Sequence, residues 1–488
     1  MSSSPGLPGV DGPAIQNQCF FTLISPQIQN FTGTGMATET EIKLRVSPQD
    51  MDRLAAHPLL ERYRSQPWQS RELLNAYFDT EAGDLARAQV ALRIRRDGEQ
   101  FIQTLKSKGA SMAGLSERHE WDWYIDSDRL DMDLLGDECW PYSLHQLDKQ
   151  QLTELFRTDF TRKSTELAWE HRGVPTRVEV ALDSGKVATA CGDEPICELE
   201  LELREGQPAA LLELALQLAA DIALMPCDIS KAERGYRLLQ PGSFELNVCP
   251  AQLVAGQDID SAFAALMQEQ LAASQRLAEQ YRHTSQWKLL QGWFDQLTGM
   301  RALLGSMGQL VPRKSSHGLR LVLDALLADW QPVIRAGMAG REQRDAAVAL
   351  FAAELQQARW GMFSLELALW LHDSGWQTGR NERLERQAKA PLERWLVRFL
   401  QEQAQELGLE AYKLKAYALN EQQPRLERIM VWLEAARHVL TATGLDDTLG
   451  ALRKLHDSLQ ADDPDARSRA LLQTCADPGW KALLRGSY

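Results

Sequence analysis

The sequence predicts an α+β chain in two parts, an antiparallel β domain followed by an all-α helical bundle. Three observations carry this. From Met36 to about Gln240, charged and apolar residues alternate with period two in short runs, as strands with one polar and one apolar face require. From about Ala251 onward, apolar residues recur at three- and four-residue spacing, as in amphipathic helices. Composition shifts between the two near Asn247–Gly256, which marks residues 241–256 as a linker. At 488 residues, with 44% hydrophobic and 25% charged residues, the chain has the make-up of a soluble globular protein of more than one domain.

Residues 1–35 carry one charged side chain, Asp11, among Ser, Gly, Pro, Gln and Asn. No Lys or Arg precedes the short apolar stretch Cys19–Ile24, so the basic start of a signal peptide is missing. The segment reads as a disordered or spurious tail, with Met36 the natural first residue. The β domain, residues 36–240, follows. Its alternating runs are Glu39–Val46, Ala91–Arg95, Val178–Asp183 and Cys197–Leu203, with helices expected over Pro48–Leu60 and Pro208–Ile222. In the bundle, residues 257–488, helices are expected over Ile259–Tyr281, Gln286–Leu304, His317–Leu327, Arg344–Ala358 and Ala390–Glu406. Pro312 and Pro424 punctuate them.

Composition excludes several classes of function. The seven cysteines form no CxxC pair, which argues against a zinc site or a disulfide framework and for a reduced, cytoplasmic setting. No apolar run approaches the roughly 20 residues of a membrane span. The net charge is −14, and since residues 251–488 are neutral the acidic excess belongs to residues 1–250. That argues against nucleic acid as a partner.

The polar faces of the strands carry the chemistry. Glu39, Glu41 and Lys43 share one face, Arg93 and Arg95 another, Thr104 and Lys106 a third. Glu179 and Asp183 share a fourth, and Glu198, Glu200 and Glu202 form a carboxylate row. Like charges along a strand repel and need counter-charges or cations. A closed barrel with a polar lumen and an apolar exterior satisfies all of these faces at once. Carboxylate rows then hold divalent cations through hard oxygen ligands, while Arg and Lys rows hold a polyanion. The combination points to phosphoryl chemistry.

The pattern Glu39-x-Glu41-x-Lys43 resembles the ExExK signature of the CYTH superfamily, the triphosphate tunnel metalloenzymes. Further matches follow in the family's order: Asn75–Thr80, Leu92–Arg95, Thr104–Lys106, Arg118–Glu120, Asp159–Lys163, Val178–Gly185, Glu194–Glu202 and Ser230–Tyr236. Together they span about Met36 to Leu239. The two-part layout resembles bacterial inorganic triphosphatases in which a CYTH domain precedes a CHAD domain. The resemblance implies an eight-stranded tunnel that hydrolyses inorganic triphosphate to pyrophosphate and phosphate with Mg²⁺ or Mn²⁺, two ions being expected. It assigns Lys43, Arg93, Arg95, Lys106, Arg162, Lys231 and Arg234 to substrate. It assigns Glu39, Glu41, Glu120, Asp183, Glu198 and Glu200 to metal, with Glu202 at the tunnel rim. Lys231, Glu39 and Glu41 are the catalytic candidates, Lys231 or Arg234 being placed at the leaving oxygen. Tyr77 and Tyr236 read as core packing, and His119 yields to its neighbour Glu120.

In the bundle, Val311–Arg320 resembles a short basic motif of CHAD domains, which implies polyphosphate binding by Arg301, Arg313, Lys314, His317 and Arg320. Arg425 and Arg428 are the expected counterpart in the second half. Two His-Asp pairs, His372-Asp373 and His456-Asp457, lack the further ligands of a metal phosphohydrolase and read as polar residues on helix surfaces. Two alternatives stay open: a class IV adenylyl cyclase or thiamine triphosphatase on the same fold, and a non-enzymatic polyphosphate-binding protein.

Overall fold

The computed structural model describes residues 37–107, 109–112, 115–240, 251, 253–254, 256–357, 359–413, 415–440 and 444–486. The expected tail and most of the expected linker lie outside the described residues. Those described fall within one compact unit, Gly33–Tyr488.

The strands are β1 (Ala37–Arg45), β2 (Gln69–Asp79), β3 (Ala91–Asp97), β4 (Gln100–Lys106), β5 (Ala110–Met112), β6 (Leu115–Ile125), β7 (Thr153–His171), β8 (Val174–Thr189), β9 (Gly192–Glu205) and β10 (Met225–Pro226). Their order is β10-β1-β9-β8-β7-β2-β3-β4-β6-β5, and β1 also pairs with β6. That extra pairing closes eight strands, β1-β9-β8-β7-β2-β3-β4-β6, into an antiparallel tunnel, with β5 and β10 as short additions.

Directly paired residues in an antiparallel ladder point to the same face. Lys43 pairs with Glu200 and Arg45 with Glu198, Glu198 with Asp183, and Asp183 with Arg162. Tyr77 pairs with Phe156 and with Arg93, Arg93 with Thr104, and Thr104 with Asp122. Arg118 pairs with Glu39, which completes the ring. The charged face of every strand therefore lines one lumen. The alternate residues Ile42, Leu44, Val178, Val180, Leu182, Leu199 and Leu201 form the apolar exterior and are buried.

What buries them is helical. The tunnel part adds α1 (Met51–Ala55), α2 (Pro58–Tyr63), α3 (Asp84–Arg87), α4 (Ala209–Ala219) and α5 (Lys231–Leu239). The helix expected over Pro48–Leu60 is broken: a 3₁₀ turn at Pro48–Asp50 leads into α1, and α2 restarts at Pro58. His57 is extended, because a residue before proline is pushed out of the helical region.

The C-terminal region is α6 (Ile259–Thr284), α7 (Trp287–Ser306), α8 (Arg313–Met338), α9 (Arg341–Phe351), α10 (Arg359–His372), α11 (Glu382–Ala388), α12 (Leu392–Leu407), α13 (Gln423–Ala435), α14 (Leu445–Gln460), α15 (Pro464–Ala476) and α16 (Pro478–Arg485). Helix α8 runs well beyond the expected His317–Leu327 and carries Pro332 in its interior. Helix α9 stops at Phe351, short of the expected Ala358, where that ring packs edge-on against Trp293 and Trp330. One apolar core runs without interruption from Ile42 in β1 through α4 to Leu483 in α16. Helix α10 approaches the tunnel part so closely that a Cβ at Gly361 would overlap the Leu224 carbonyl oxygen.

Candidate active site

Strands β8 and β9 bring Asp183, Glu198 and Glu200 together inside the lumen. All three are buried, and each offers an oxygen within 4.8 Å of the others. Helix α5 supplies the counter-charge. Ser230 caps it by accepting a hydrogen bond from the Glu233 amide, which sets Lys231 on the first turn. The Lys231 Nζ lies 2.8 Å from Asp183, 2.8 Å from Glu198 and 2.9 Å from Glu200. Burial alone would lower this ammonium, but the three carboxylates hold it above its ordinary range. Conversely, burial would raise Glu198 and Glu200, yet Lys231 pulls both below the usual carboxylate range, aided by Arg234 at Glu198 and Arg162 at Glu200. Arg162 donates to Asp183 at 2.7 and 2.8 Å and also pairs with Glu200.

A second acidic group lies around Lys106, whose Nζ is 2.6 Å from Glu39 and 2.7 Å from Glu120. Arg93 approaches Glu120 at 3.6 Å, and Glu41 pairs with Lys43. The acids predicted as metal ligands thus fall into two sets, Asp183 with Glu198 and Glu200, and Glu39 with Glu120, with Glu41 held by Lys43. Hard carboxylate oxygens converging at this spacing suit a divalent cation of the Mg²⁺ or Mn²⁺ kind.

Between these sets the lumen is short of anions. Arg95 donates to the neutral Asn75 at 2.9 Å and, among the described residues, has no carboxylate at ion-pair distance. Burial, together with repulsion from Arg93 and Arg162, lowers its guanidinium to about 10. Arg93 Nε and Thr158 Oγ1 are buried and lack a hydrogen-bond partner. Tyr77, stacked on Phe156, faces the same cations. Burial would raise its phenol, but Arg93, Arg95 and Lys231 draw it below its ordinary value. Donors left unmatched in this way fit the oxygens of a polyanion.

Arg234 is placed differently from the other predicted ligands. It is fully buried, and its guanidinium is committed to Glu194 at 2.8 Å, to Glu198 and to the Pro195 carbonyl. It braces the back of Glu198. Glu202 continues the row toward the rim, where it pairs with Arg204. His119 lies on the face opposite Glu120, beside Trp121.

Sequence reasoning passed over Tyr77, Thr158, Asp122, Glu194 and Arg45. For Arg45 the signal was present, since it continues the period-two row of Glu39, Glu41 and Lys43. Asp122, 2.5 Å from Thr104, is two residues beyond Glu120 on the same face.

In the helical region Arg301 (α7), Arg313 and Arg320 (α8) and Arg425 and Arg428 (α13) repel one another. Burial and Arg301 lower the Arg320 guanidinium, and burial, Arg425 and Arg301 lower that of Arg428. Gly305 sits between Arg428 and Arg301. Asp324, 2.5 Å from Arg301, and Glu406, 2.9 Å from Arg425, offset part of this charge. Lys314 and His317 are exposed on α8. Of the two His-Asp pairs, Asp373 bonds Arg172 at the β7–β8 turn at 2.6 Å, a link between the two parts. His456 corrects its surface reading: it is buried and lies 3.2 Å from Glu427.

An inorganic triphosphatase from Haemophilus influenzae is 30% identical over 203 residues, covering 42% of this chain and 55% of that protein. The chain thus spans little more than half the length of that relative. A solved protein from Hippeastrum, described as a candidate adenylyl cyclase with a dominant triphosphatase activity, is 21% identical. Its TM-score is 0.30, and the match covers 42% of this chain and 97% of that one. A solved inorganic triphosphatase is 17% identical with a TM-score of 0.16, covering 36% of this chain and 78% of that one. The family model that matches residues 37–236, the strands of the tunnel and most of α5, is that of the CYTH domain.

Proposed function

We propose that the tunnel hydrolyses inorganic triphosphate to pyrophosphate and phosphate. The observation that carries this is the pairing of opposites in one lumen: a buried carboxylate trio together with Arg95, which has no carboxylate at ion-pair distance among the described residues, and the unpartnered Nε of Arg93. Triphosphate near neutral pH carries about four negative charges, because its terminal groups ionise near pH 6. Arg93, Arg95, Arg162, Lys43 and Lys106 bind those oxygens and align the chain. Asp183, Glu198 and Glu200 would hold Mg²⁺ or Mn²⁺, with Glu39, Glu41 and Glu120 the donors for a second ion, and the bound metal would supply Lewis-acid neutralisation and lower the pKa of the attacking water. Water adds to a terminal phosphorus as the bridging P–O bond breaks. The departing pyrophosphate oxygen takes its stabilising charge from Lys231, while positioning and electrostatics supply most of the acceleration. Arg234 keeps Glu198 aimed at the trio.

The helical region has a second, separate reading as a CHAD-like polyphosphate-binding module. The gathering of five arginines from α7, α8 and α13 with few counter-ions supports it.

The test is phosphate release by the full chain with Mg²⁺ or Mn²⁺, comparing triphosphate, ATP, thiamine triphosphate and long-chain polyphosphate. The expected result is preference for triphosphate, abolished by Glu39→Ala with Glu41→Ala. Preference for an organic triphosphate would move the substrate to the cyclase or thiamine class. Tight polyphosphate binding without metal-dependent hydrolysis would replace the enzyme by a receptor.

A further inference from the structure

Residues from both parts of the chain meet in a buried ion-pair cluster at the end of β1. Here β1 finishes with Arg45, β9 carries Glu194 near its start, and α6 passes with Glu279. Glu279 is fully buried and takes the Arg45 Nε at 2.6 and 2.7 Å. Arg45 also reaches Glu194 at 3.2 Å. Glu194 is in turn held by Arg234 at 2.8 Å and Arg237 at 2.7 Å, with His283 at 3.6 Å. Arg237, Arg282 and His283 also face Glu279, as do Cys227 and Asp228, and Cys227, Cys197, Arg282, His283 and Glu198 face Arg45.

Arg45 lies on the lumen face of β1, and its Cα partner across the ladder is Glu198. A buried guanidinium at that position must have a carboxylate. Without Glu279, Arg45 is left with Glu194, which Arg234 and Arg237 already share, and with its ladder partner Glu198 as the further carboxylate. Pairing there would put a second fixed cation against the trio. Lys231 is a single ammonium on a flexible stem and can swing away when a metal binds. Arg45 is anchored on a strand and would compete with the metal.

We propose that Glu279 of α6 is a positioning residue for the tunnel's metal site, holding Arg45 off Glu198 so that the carboxylate trio stays open to a divalent cation. The helical region then forms part of the site's outer support as well as its cover. The inference rests on the metal reading of the trio.

The test titrates Mn²⁺ into the full-length protein by calorimetry, with no substrate present, alongside a melting curve for each variant. Glu279→Gln is expected to weaken Mn²⁺ binding about 10–100-fold, the usual cost of losing a group that orients metal ligands. The double variant Arg45→Met with Glu279→Met removes the competing cation together with its partner. It should return Mn²⁺ affinity to within about threefold of wild type, even though packing changes. Glu233→Gln, which breaks the Arg276–Glu233 pair at the same junction, should lower stability and leave Mn²⁺ affinity unchanged. Unchanged Mn²⁺ affinity in a folded Glu279→Gln protein would overturn the proposal. So would a folded double variant that does not recover, or equal weakening by Glu233→Gln. Should Glu279→Gln fail to fold, the double variant alone decides. Wild-type protein that binds no Mn²⁺ would instead overturn the metal reading itself.

Discussion

At the scale of the residue, Lys231 carries the most contradictory demands in the tunnel. One ammonium serves three buried carboxylates, yet the proposed reaction needs it at the leaving oxygen. Lys231→Met separates these roles. Turnover should fall at least about 100-fold, as for loss of one charge-stabilising donor. Mn²⁺ should bind as tightly as in wild type or tighter, because the competing cation is gone, and steady-state kinetics with a calorimetric titration check both halves. Glu194 offers a different test. Burial alone would raise its carboxyl, but Arg234, Arg237 and Arg45 bring it from 4.5 to about 2. A carboxyl depressed on folding adds stability above its unfolded pKa and loses it as pH falls through the folded one. Glu194→Gln should therefore cost about 3 kcal/mol at pH 7, where a buried charge cluster is left unbalanced. The gap should shrink as pH falls from 4.5 toward about 2, read by urea unfolding at a series of pH values.

At the scale of the element, the helix–tunnel junction depends on a missing side chain. A methyl group at Gly361 would strike the Leu224 carbonyl, which is backbone and cannot move aside cheaply. Gly361→Ala should destabilise the protein by about 1–3 kcal/mol, the usual cost of overpacking, and lower its melting temperature accordingly. Nothing in the local sequence announces this contact, since Trp360-Gly361-Met362 reads as ordinary helix interior. The strands were more transparent. A period of two leaves no freedom about which residues share a face, so Glu39, Glu41 and Lys43 in β1 and Glu198 and Glu200 in β9 were legible as lumen rows. Partners from different strands were not. That Arg162 meets Asp183 depends on the register of the β7–β8 hairpin, and that Lys106 meets Glu39 depends on closure of β1 onto β6, which pairing distance along the chain does not reveal. Glu279 was beyond reach for the same reason, since its partner Arg45 lies 234 residues away. Helix ends were read poorly where backbone chemistry outranked periodicity, as at Pro58.

At the scale of the whole molecule, the shared core makes a prediction about cooperativity. Ile42 and Leu44 of β1, α4, and the Trp293 and Trp330 cluster belong to one continuous apolar interior. Secondary-structure loss followed at strand wavelengths and tryptophan fluorescence of the helical region should therefore change together in one urea transition. Two separated midpoints would show that the parts fold independently. The self-pairing of the lumen has a further consequence. Arg95 apart, the cations predicted for the substrate are engaged with carboxylates, so Lys231 cannot meet a phosphate oxygen until the trio has another positive partner, and the trio cannot take one until Lys231 turns elsewhere. Neither guest is accommodated well alone, and each prepares the place of the other. Linkage makes that help reciprocal: the factor by which a triphosphate analogue tightens Mn²⁺ equals the factor by which Mn²⁺ tightens the analogue. A tunnel built this way stays electrically quiet while empty of both, and assembles its reacting charges only when anion and metal arrive as a pair.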